Sequence, residues 1–278
     1  MFARKSGFSA AQNTALISCA ILVMQELGPK AIMRMDISQK PILSQNILSK
    51  NFDIKDEAGA KAFLENLATA NNHTPLVAEV FDNVISNSQY EIIRGIFSPL
   101  KQDAITRLDL AKNFRCLWQN ATNDADMPAF LDFLNNPQDG QGAIFHNITA
   151  SAILSRINKC VKGYETAIRS LKVFGYTPEE LVKINTFIAW DIGRCGYVAR
   201  LCVNAGYIVA DDAWKYMQIA GRAAYVAYTS WRQFLAAYFL GRCMYYSADD
   251  MGNFGENIRF LLKDKKSPYS WYPLRTLS

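Results

Sequence analysis

Apolar residues recur every three or four positions along most of the chain, and no convincing run of alternating apolar and polar residues appears. The first period is that of an amphipathic α-helix, whereas strict alternation is typical of a half-buried strand. The predicted fold is therefore all-α, a multi-helix globular bundle with no significant sheet. The predicted helices cover residues 8–27, 56–70, 100–120, 128–135, 144–173, 177–205, 211–228, 231–246 and 252–264, with a further helix after Pro75.

Proline, glycine and capping residues predict where several of these helices begin and end. Thr177-Pro178-Glu179-Glu180 combines a capping threonine, a proline at the first helical position and a glutamate at the third, which is a capping box. Gly28 and Gly206 are expected to end the helices before them. Residues 29–54, which contain Pro41, are predicted to form an irregular surface connection.

The first apolar run follows two basic residues, an order that a secretory signal peptide also has. We predict a buried helix over residues 8–27 instead of a targeting or membrane segment. The run is shorter than the roughly 20 residues of a membrane span, and its most apolar residues come after Cys19.

The clearest helix-breaking segment of the chain is Asn-Asn-Pro-Gln-Asp-Gly at residues 135–140. It predicts an N-terminal helical lobe, residues 1–139, and a C-terminal helical lobe, residues 140–278, that carries the motifs described below. One continuous domain is the alternative.

The composition indicates which kinds of partner and which cellular compartment the protein has. A net charge of +5 is weaker than a dedicated nucleic-acid binder carries, and a mean hydropathy of −0.04 is too low for a polytopic membrane protein. We therefore expect neither nucleic acid nor a membrane as a partner. Six cysteines without a CxxC pair and only two histidines disfavour a zinc site and a disulfide framework. We expect no metal, no cofactor, and buried thiols in a reducing cytoplasm.

The usual catalytic motifs do not occur, so the candidate chemistry rests on charged residues at apolar helix positions. Helical spacing places Asp191 inside an apolar stripe, where an unpaired carboxylate costs several kcal/mol. Arg194, three residues further on, can reach it. Arg242 interrupts an aromatic stripe in the helix after Ser230. If the two helices pack through their apolar faces, the three charges converge and one positive charge is uncompensated.

Two interpretations of this convergence stay open. The first is a structural network that fixes helix register and is completed by backbone carbonyls or tyrosine hydroxyls. The second is a pocket whose surplus arginine binds a phosphate, nucleotide or carboxylate, with Asp191 positioning an arginine or acting in acid–base catalysis. The candidate ligand-binding residues of the second interpretation are Asp191, Arg194, Arg242, Tyr238, Trp190 and Trp231.

Two other features carry weaker predictions. His73 lies at a turn between two predicted helices, before Thr74-Pro75, and is expected to be a cap or surface residue rather than a catalytic one. The aromatic tail Tyr269–Leu274 is expected to be exposed, which makes it the candidate surface for a protein partner.

The motifs around the charged residues resemble those of a known family. They are Phe187-Ile188-Ala189-Trp190-Asp191-Ile192-Gly193-Arg194, Ala205-Gly206-Tyr207-Ile208, Ala213-Trp214, Ser230-Trp231, Gly241-Arg242 and Ser267-Pro268-Tyr269. Their order and spacing resemble the bacterial family catalogued as domain of unknown function 1266, the YbeR/YbeU-like proteins. Leu67–His73 is similar to a family stretch that ends in Gly-His-Arg, although Asn72 and Thr74 flank the histidine here. The resemblance implies a bacterial, predominantly cytoplasmic helical protein whose Asp191, Arg194 and Arg242 match the family's polar motif. It implies no activity.

Three functions are compatible with this sequence. The leading hypothesis is a non-enzymatic binding module that recognises a protein partner or a small anion. The alternative is an enzyme acting on a phosphorylated or nucleotide substrate at Asp191, Arg194 and Arg242, for example an effector in competition between bacteria. The third is the immunity or regulatory partner of such a toxin. All three need the same helical core.

Overall fold

The computed structural model describes residues 7–86, 140–246 and 254–275, and in the second range it describes side chains from residue 155 onward. Over these ranges the backbone forms helices and no strand, which confirms the all-α fold class. The helices predicted over residues 100–120 and 128–135 lie outside the described residues. So do residues 135–139, on which the predicted boundary between residues 139 and 140 rests.

The helices follow the predicted order in most of the described chain. They are α1 (Ala10–Ser18), α2 (Ala20–Leu27), α3 (Pro41–Phe52), α4 (Glu57–Ala68), α5 (Thr74–Val80), α6 (Gly140–Val173), α7 (Pro178–Val182), α8 (Ala189–Asn204), α9 (Ala210–Ala227), α10 (Trp231–Tyr245), α11 (Phe254–Lys263) and α12 (Pro268–Trp271). A 3₁₀ turn, Pro29–Ala31, follows α2, and a π-helical turn, Phe81–Ile85, follows α5.

Three stretches differ from the prediction. Residues 41–52 form α3 instead of an irregular connection, because Pro41 stands in the first helical turn, where a missing N–H costs no hydrogen bond. The helix predicted over residues 8–27 is interrupted at Cys19, where ψ is 7°. The helix predicted over residues 177–205 is interrupted between α7 and α8, and the Tyr228 hydroxyl accepts the N–H of Ala189 at the new helix start.

The predicted helix-end signals are confirmed. Thr177 Oγ1 accepts the N–H of Glu180 at 3.3 Å, and the Glu180 carboxylate accepts the N–H of Thr177 at 2.8 Å, which completes the capping box before α7. Gly28 and Gly206 follow α2 and α8 with φ of 84° and 79°. This left-handed backbone ends a helix and favours glycine, which has no Cβ to clash.

Contacts divide the chain into two compact units. The first comprises residues 1–74, 167–242 and 248–278, and the second comprises residues 75–166 and 243–247. In the first unit α8 contacts α1, α2, α3, α4 and α9. Every residue from Ala189 to Cys202 is buried, so α8 presents no polar face to water. The charged residues of α8 therefore lie in the core of the first unit.

Glycines allow helices of the first unit to approach one another closely. A Cβ at Gly196 of α8 would lie 2.3 Å from the sulfur of Cys19, and a Cβ at Gly221 of α9 would lie 3.1 Å from the Cα of Ala15. The first distance is well inside van der Waals contact, so the packing at position 196 excludes any side chain.

The described part of the second unit is held by aromatic and close backbone contacts. The rings of Phe81 and Tyr164 lie 5.8 Å apart, and the Arg156 guanidinium lies 4.3 Å from the ring centre of Tyr245. A Cβ at Gly163 would lie 2.1 Å from the carbonyl oxygen of Cys243, so α6 and the end of α10 meet there backbone to backbone.

The C-terminal aromatic segment is packed on the first unit. The Trp231 ring stacks on the ring of Tyr269 at 5.0 Å, and its indole N–H donates to the carbonyl of Tyr272 at 2.7 Å. Tyr269 and Leu274 are both buried, whereas Trp271 is 40% exposed. The predicted exposure of residues 269–274 is therefore confirmed at Ser270, Trp271 and Pro273 and is wrong at Tyr269 and Leu274.

The described ranges contain five cysteines, all of them buried. No helix there is long and apolar enough to cross a bilayer, and no three His, Cys, Asp or Glu side chains there lie together as metal ligands would. The cysteines of these ranges form no disulfide. Burial raises the pKa of Cys160 to about 11 and that of Cys202 to about 12, so both thiols are protonated at neutral pH.

Candidate functional site

Asp191 lies in the first turn of α8 and is completely buried. Its carboxylate accepts the backbone N–H groups of three consecutive residues, Asn72, His73 and Thr74, each at 3.1 Å. Because α5 begins at Thr74, the N–H groups of His73 and Thr74 are among those that a helix start leaves without intrahelical acceptors, and Asn72 lies in the turn before it. The positive end of a helix also favours a carboxylate. Asp191 therefore caps α5 from a distant part of the chain.

Arg194 completes this arrangement on the same helix. Its Nη2 donates to Asp191 Oδ1 at 2.5 Å and to the side-chain oxygen of Asn72 at 2.9 Å. The guanidinium also lies 4.5 Å from the ring centre of Trp190, within cation–π range. We call Asp191, Arg194 and residues 72–74 the Asp191 cluster. It joins the turn before α5 to the start of α8.

The aromatic neighbours of the cluster are His73, Trp190 and Tyr238, which the sequence analysis had discussed. The His73 ring stacks on the Trp190 ring at 6.5 Å, and the Trp190 ring meets that of Tyr238 edge-on at 5.2 Å. A Cβ at Gly193 would lie 2.5 Å from the Tyr238 ring, so glycine is what lets α10 approach α8 here. A Cβ at Gly241 would lie 2.9 Å from Cβ of Trp190, so α8 and α10 approach closely at this position too.

Arg242 lies on α10, which packs against α8 as the predicted convergence requires. In the described ranges, Asp191 forms an ion pair with Arg194 and none with Arg242. Arg242 lies 5.9 Å from the ring centre of Phe254 and is mostly buried. Its charge opposes the desolvation that raises the pKa of Glu26. Arg242 therefore lies near the Asp191 cluster without an ion pair to Asp191.

Tyr238 connects the two arginine environments. Burial raises the pKa of its hydroxyl, while the charges of Arg242 and Arg194 both act to lower it. In the described part of the chain neither the Tyr238 hydroxyl nor Arg194 Nε has a hydrogen-bond partner. Trp231, in contrast, packs against Tyr269 and donates to the carbonyl of Tyr272. These contacts are with the C-terminal segment and not with the other predicted site residues.

Arg200 is a buried charge that sequence analysis missed. It has no exposed surface, and its guanidinium donates to the carbonyls of Ile32, Arg34 and Gly196 and to the sulfur of Cys19, at 2.8 to 3.0 Å. It thereby anchors the turn after α2 to α8. The signal that could have found it is the apolar character of α8 on every side, which leaves no exposed position for a charge.

A surface groove of about 650 Å³ lies along the outer side of α9. We call it the α9 groove. Its apolar lining includes Ile188, Ile219, Ala223 and Val226, and its cations are Lys215 and Arg222. Ile219 is 37% and Val226 71% exposed, whereas the opposite side of α9, with Ala213, Met217, Ala220 and Ala224, is buried.

These features define an all-α protein with an internal ionic cap between two helices and an apolar groove on one helix. The family model described as Protein of unknown function (DUF1266) matches residues 47–274, and the chain belongs to that family. The match includes residues 72–74 as well as Asp191 and Arg194. No curated protein and no solved structure matches the chain significantly.

Proposed function

We propose that this protein is a non-catalytic binding module that recognises a protein partner through the α9 groove. The observation that carries the proposal is the row of apolar side chains at Ile219, Ala223 and Val226, exposed or half-buried on a helix whose other side is core. A contiguous apolar groove bordered by charge is typical of an interaction surface. The eight residues that line it lie on α9 or directly before α8.

The Asp191 cluster supports a non-catalytic function, because the Asp191 carboxylate is bonded to the chain itself. Both oxygens of Asp191 already accept hydrogen bonds from the chain itself, and Arg194 is bound to Asp191 and Asn72. A general acid or base needs a polar atom that a substrate can reach, and the completely buried Asp191 carboxylate offers none. These contacts favour a structural role for Asp191 over the acid–base role that the enzyme alternative gives it.

We place the module in the bacterial cytoplasm. The support is the resemblance noted above together with the buried, protonated thiols of Cys160 and Cys202, which suit a reducing compartment.

The proposal is tested by quantitative affinity purification with wild type, Val226→Asp and Val173→Asp. Both valines are exposed, but Val173 lies at the end of α6 and does not line the groove. We expect at least one protein to be retained by wild type and Val173→Asp and lost with Val226→Asp. That protein, once purified, should form a saturable complex with the wild type. The proposal fails if every retained protein is unaffected by Val226→Asp.

A further inference from the structure

The chemistry of the α9 groove identifies the kind of partner that fits it. We infer that the groove receives an amphipathic α-helix with an apolar face flanked by acidic residues. This inference rests on the proposed function and deepens it, since it names what the groove binds.

The apolar part of the groove has helical spacing. Ile219, Ala223 and Val226 are separated by four and three residues, so they form one straight row along α9. With 1.5 Å of rise per residue, the stretch from Lys215 to Val226 is about 17 Å long, or about three turns. Ile188 forms the second wall from the segment before α8. A row of this length accommodates the apolar side chains of a partner helix at i, i+3/i+4 and i+7.

The charges of the groove select an acidic partner. Lys215 and Arg222 are seven residues apart on the same side of α9, both exposed, and none of the eight lining residues is acidic. In the described ranges neither cation takes part in an ion pair. Acidic residues flanking the partner's apolar face would meet these two cations, and charges placed at a rim increase association rate and specificity.

A second copy of this chain is a poorer occupant. A symmetric dimer through the groove would bring the same surface of each copy together, so Lys215 and Arg222 would face Lys215 and Arg222 of the other copy. Like charges placed across an interface disfavour the complex.

The test is a fluorescence-anisotropy titration of the full-length protein into a fluorescein-labelled peptide of about 18 residues, long enough for about five helical turns. The acidic peptide carries leucine at helical spacing on one face and glutamate on both flanks of that face. The matched basic peptide carries lysine in place of every glutamate. We expect the acidic peptide to bind at least roughly tenfold more tightly, with a preference that shrinks when ionic strength rises from about 0.05 M to about 0.5 M.

Variants assign the binding to the groove. Val226→Asp and the double variant Lys215→Glu/Arg222→Glu should each weaken the acidic peptide at least roughly tenfold, and the double variant should also improve binding of the basic peptide. The matched controls are Val173→Asp and Lys159→Glu/Lys162→Glu, which make the same changes in charge at exposed positions outside the groove. They should bind like wild type. Far-ultraviolet circular dichroism and melting temperatures confirm that each variant is folded.

Several results would overturn the inference. They are equal or tighter binding of the basic peptide, no binding of either peptide by wild type, and acidic-peptide binding that Val226→Asp leaves unchanged. Groove-dependent binding to phosphatidylserine vesicles without any peptide preference would assign the groove to a membrane surface instead. A concentration-dependent dimer abolished by Val226→Asp would assign it to a second copy. If the peptide fails while a purified partner still depends on Val226, the proposed function stands and only the acidic-helix assignment falls.

Discussion

α8 and α9 are neighbouring helices of similar length, yet they use their charged residues in opposite ways. The charges of α8, which are Asp191, Arg194 and Arg200, are all buried and bonded to other parts of the chain. Lys215 and Arg222 of α9 are exposed beside apolar side chains. A buried charge is retained only when the fold supplies its partners, whereas an exposed charge can meet an external one. The charged residues of α8 thus organise the fold, whereas those of α9 lie in the groove on which the proposed binding function rests.

The largest expected effect is that of Asp191→Ala. The substitution leaves the Arg194 charge and the N–H groups of residues 72–74 without their acceptor, so we expect the free energy of unfolding to fall by about 3–5 kcal/mol. Equilibrium urea denaturation measures it. A variant as stable as wild type would show that the cluster does not hold the fold and would reopen the ligand-site interpretation.

Arg200→Met should have the next largest effect. The change leaves the carbonyls of Ile32 and Arg34 without their buried donor, and we expect a loss of about 2–3 kcal/mol in the same denaturation experiment. Because methionine removes a buried charge while filling similar space, an increase in stability would mean that the cost of burying the guanidinium exceeds the value of its hydrogen bonds.

The partly exposed ion pair between Arg232 and Glu180 is intermediate between the buried charges of α8 and the exposed charges of α9. Arg232 binds both carboxylate oxygens of Glu180, at 2.6 and 3.0 Å, and this hydrogen bonding lowers the pKa of Glu180 to about 2. A lowered folded-state pKa stabilises the protein above the ordinary glutamate pKa, and the stabilisation is lost as pH falls toward 2. Glu180→Gln should cost about 1 kcal/mol or less at neutral pH, since water screens the pair.

Unfolding free energies of wild type and Glu180→Gln, measured across the acid range, check this sign. The difference between the two proteins should be largest at neutral pH and should narrow between about pH 4.5 and about pH 2. A difference that grew on acidification would contradict the assigned direction of the shift.

The smallest expected effect on stability is that of Val226→Asp. The side chain is 71% exposed, so we expect the free energy of unfolding to change by no more than about 0.5 kcal/mol while partner binding is lost. Thermal denaturation next to the binding titration separates the two effects. A destabilisation comparable to that of Asp191→Ala would mean that the α9 groove belongs to the core after all.

Sequence analysis reached part of the Asp191 cluster and missed the rest for a physical reason. Helical spacing was enough to predict that Asp191 is buried and that Arg194 can reach it, because both lie on one helix. The N–H donors of residues 72–74 are 117 to 119 positions away, and no local rule pairs a helix start with so distant a carboxylate. Only the family resemblance included both the Leu67–His73 stretch and the motif that contains Asp191.

The difference between local and tertiary contacts also explains which of the other predictions are confirmed. Capping at Thr177 and the helix end at Gly206 depend on neighbouring residues, and the structure confirms them. The docking of Tyr269 on Trp231 and the break before α8 depend on tertiary contacts, such as the Tyr228 hydroxyl at Ala189. The α9 groove was not predicted because an apolar row at helical spacing has the same pattern whether it faces a core or water.

A double-mutant cycle at Asp191 and Arg194 tests directly whether the Asp191 cluster supports the fold from within. Urea denaturation of wild type, Asp191→Ala, Arg194→Met and the double variant gives the coupling energy of the pair. We predict that the double variant loses clearly less stability than the sum of the two single losses, because removing both charges leaves no buried ion unpaired. It should still be less stable than wild type, because the N–H groups of residues 72–74 have lost their cap. Single variants that are each as stable as wild type would contradict the claim.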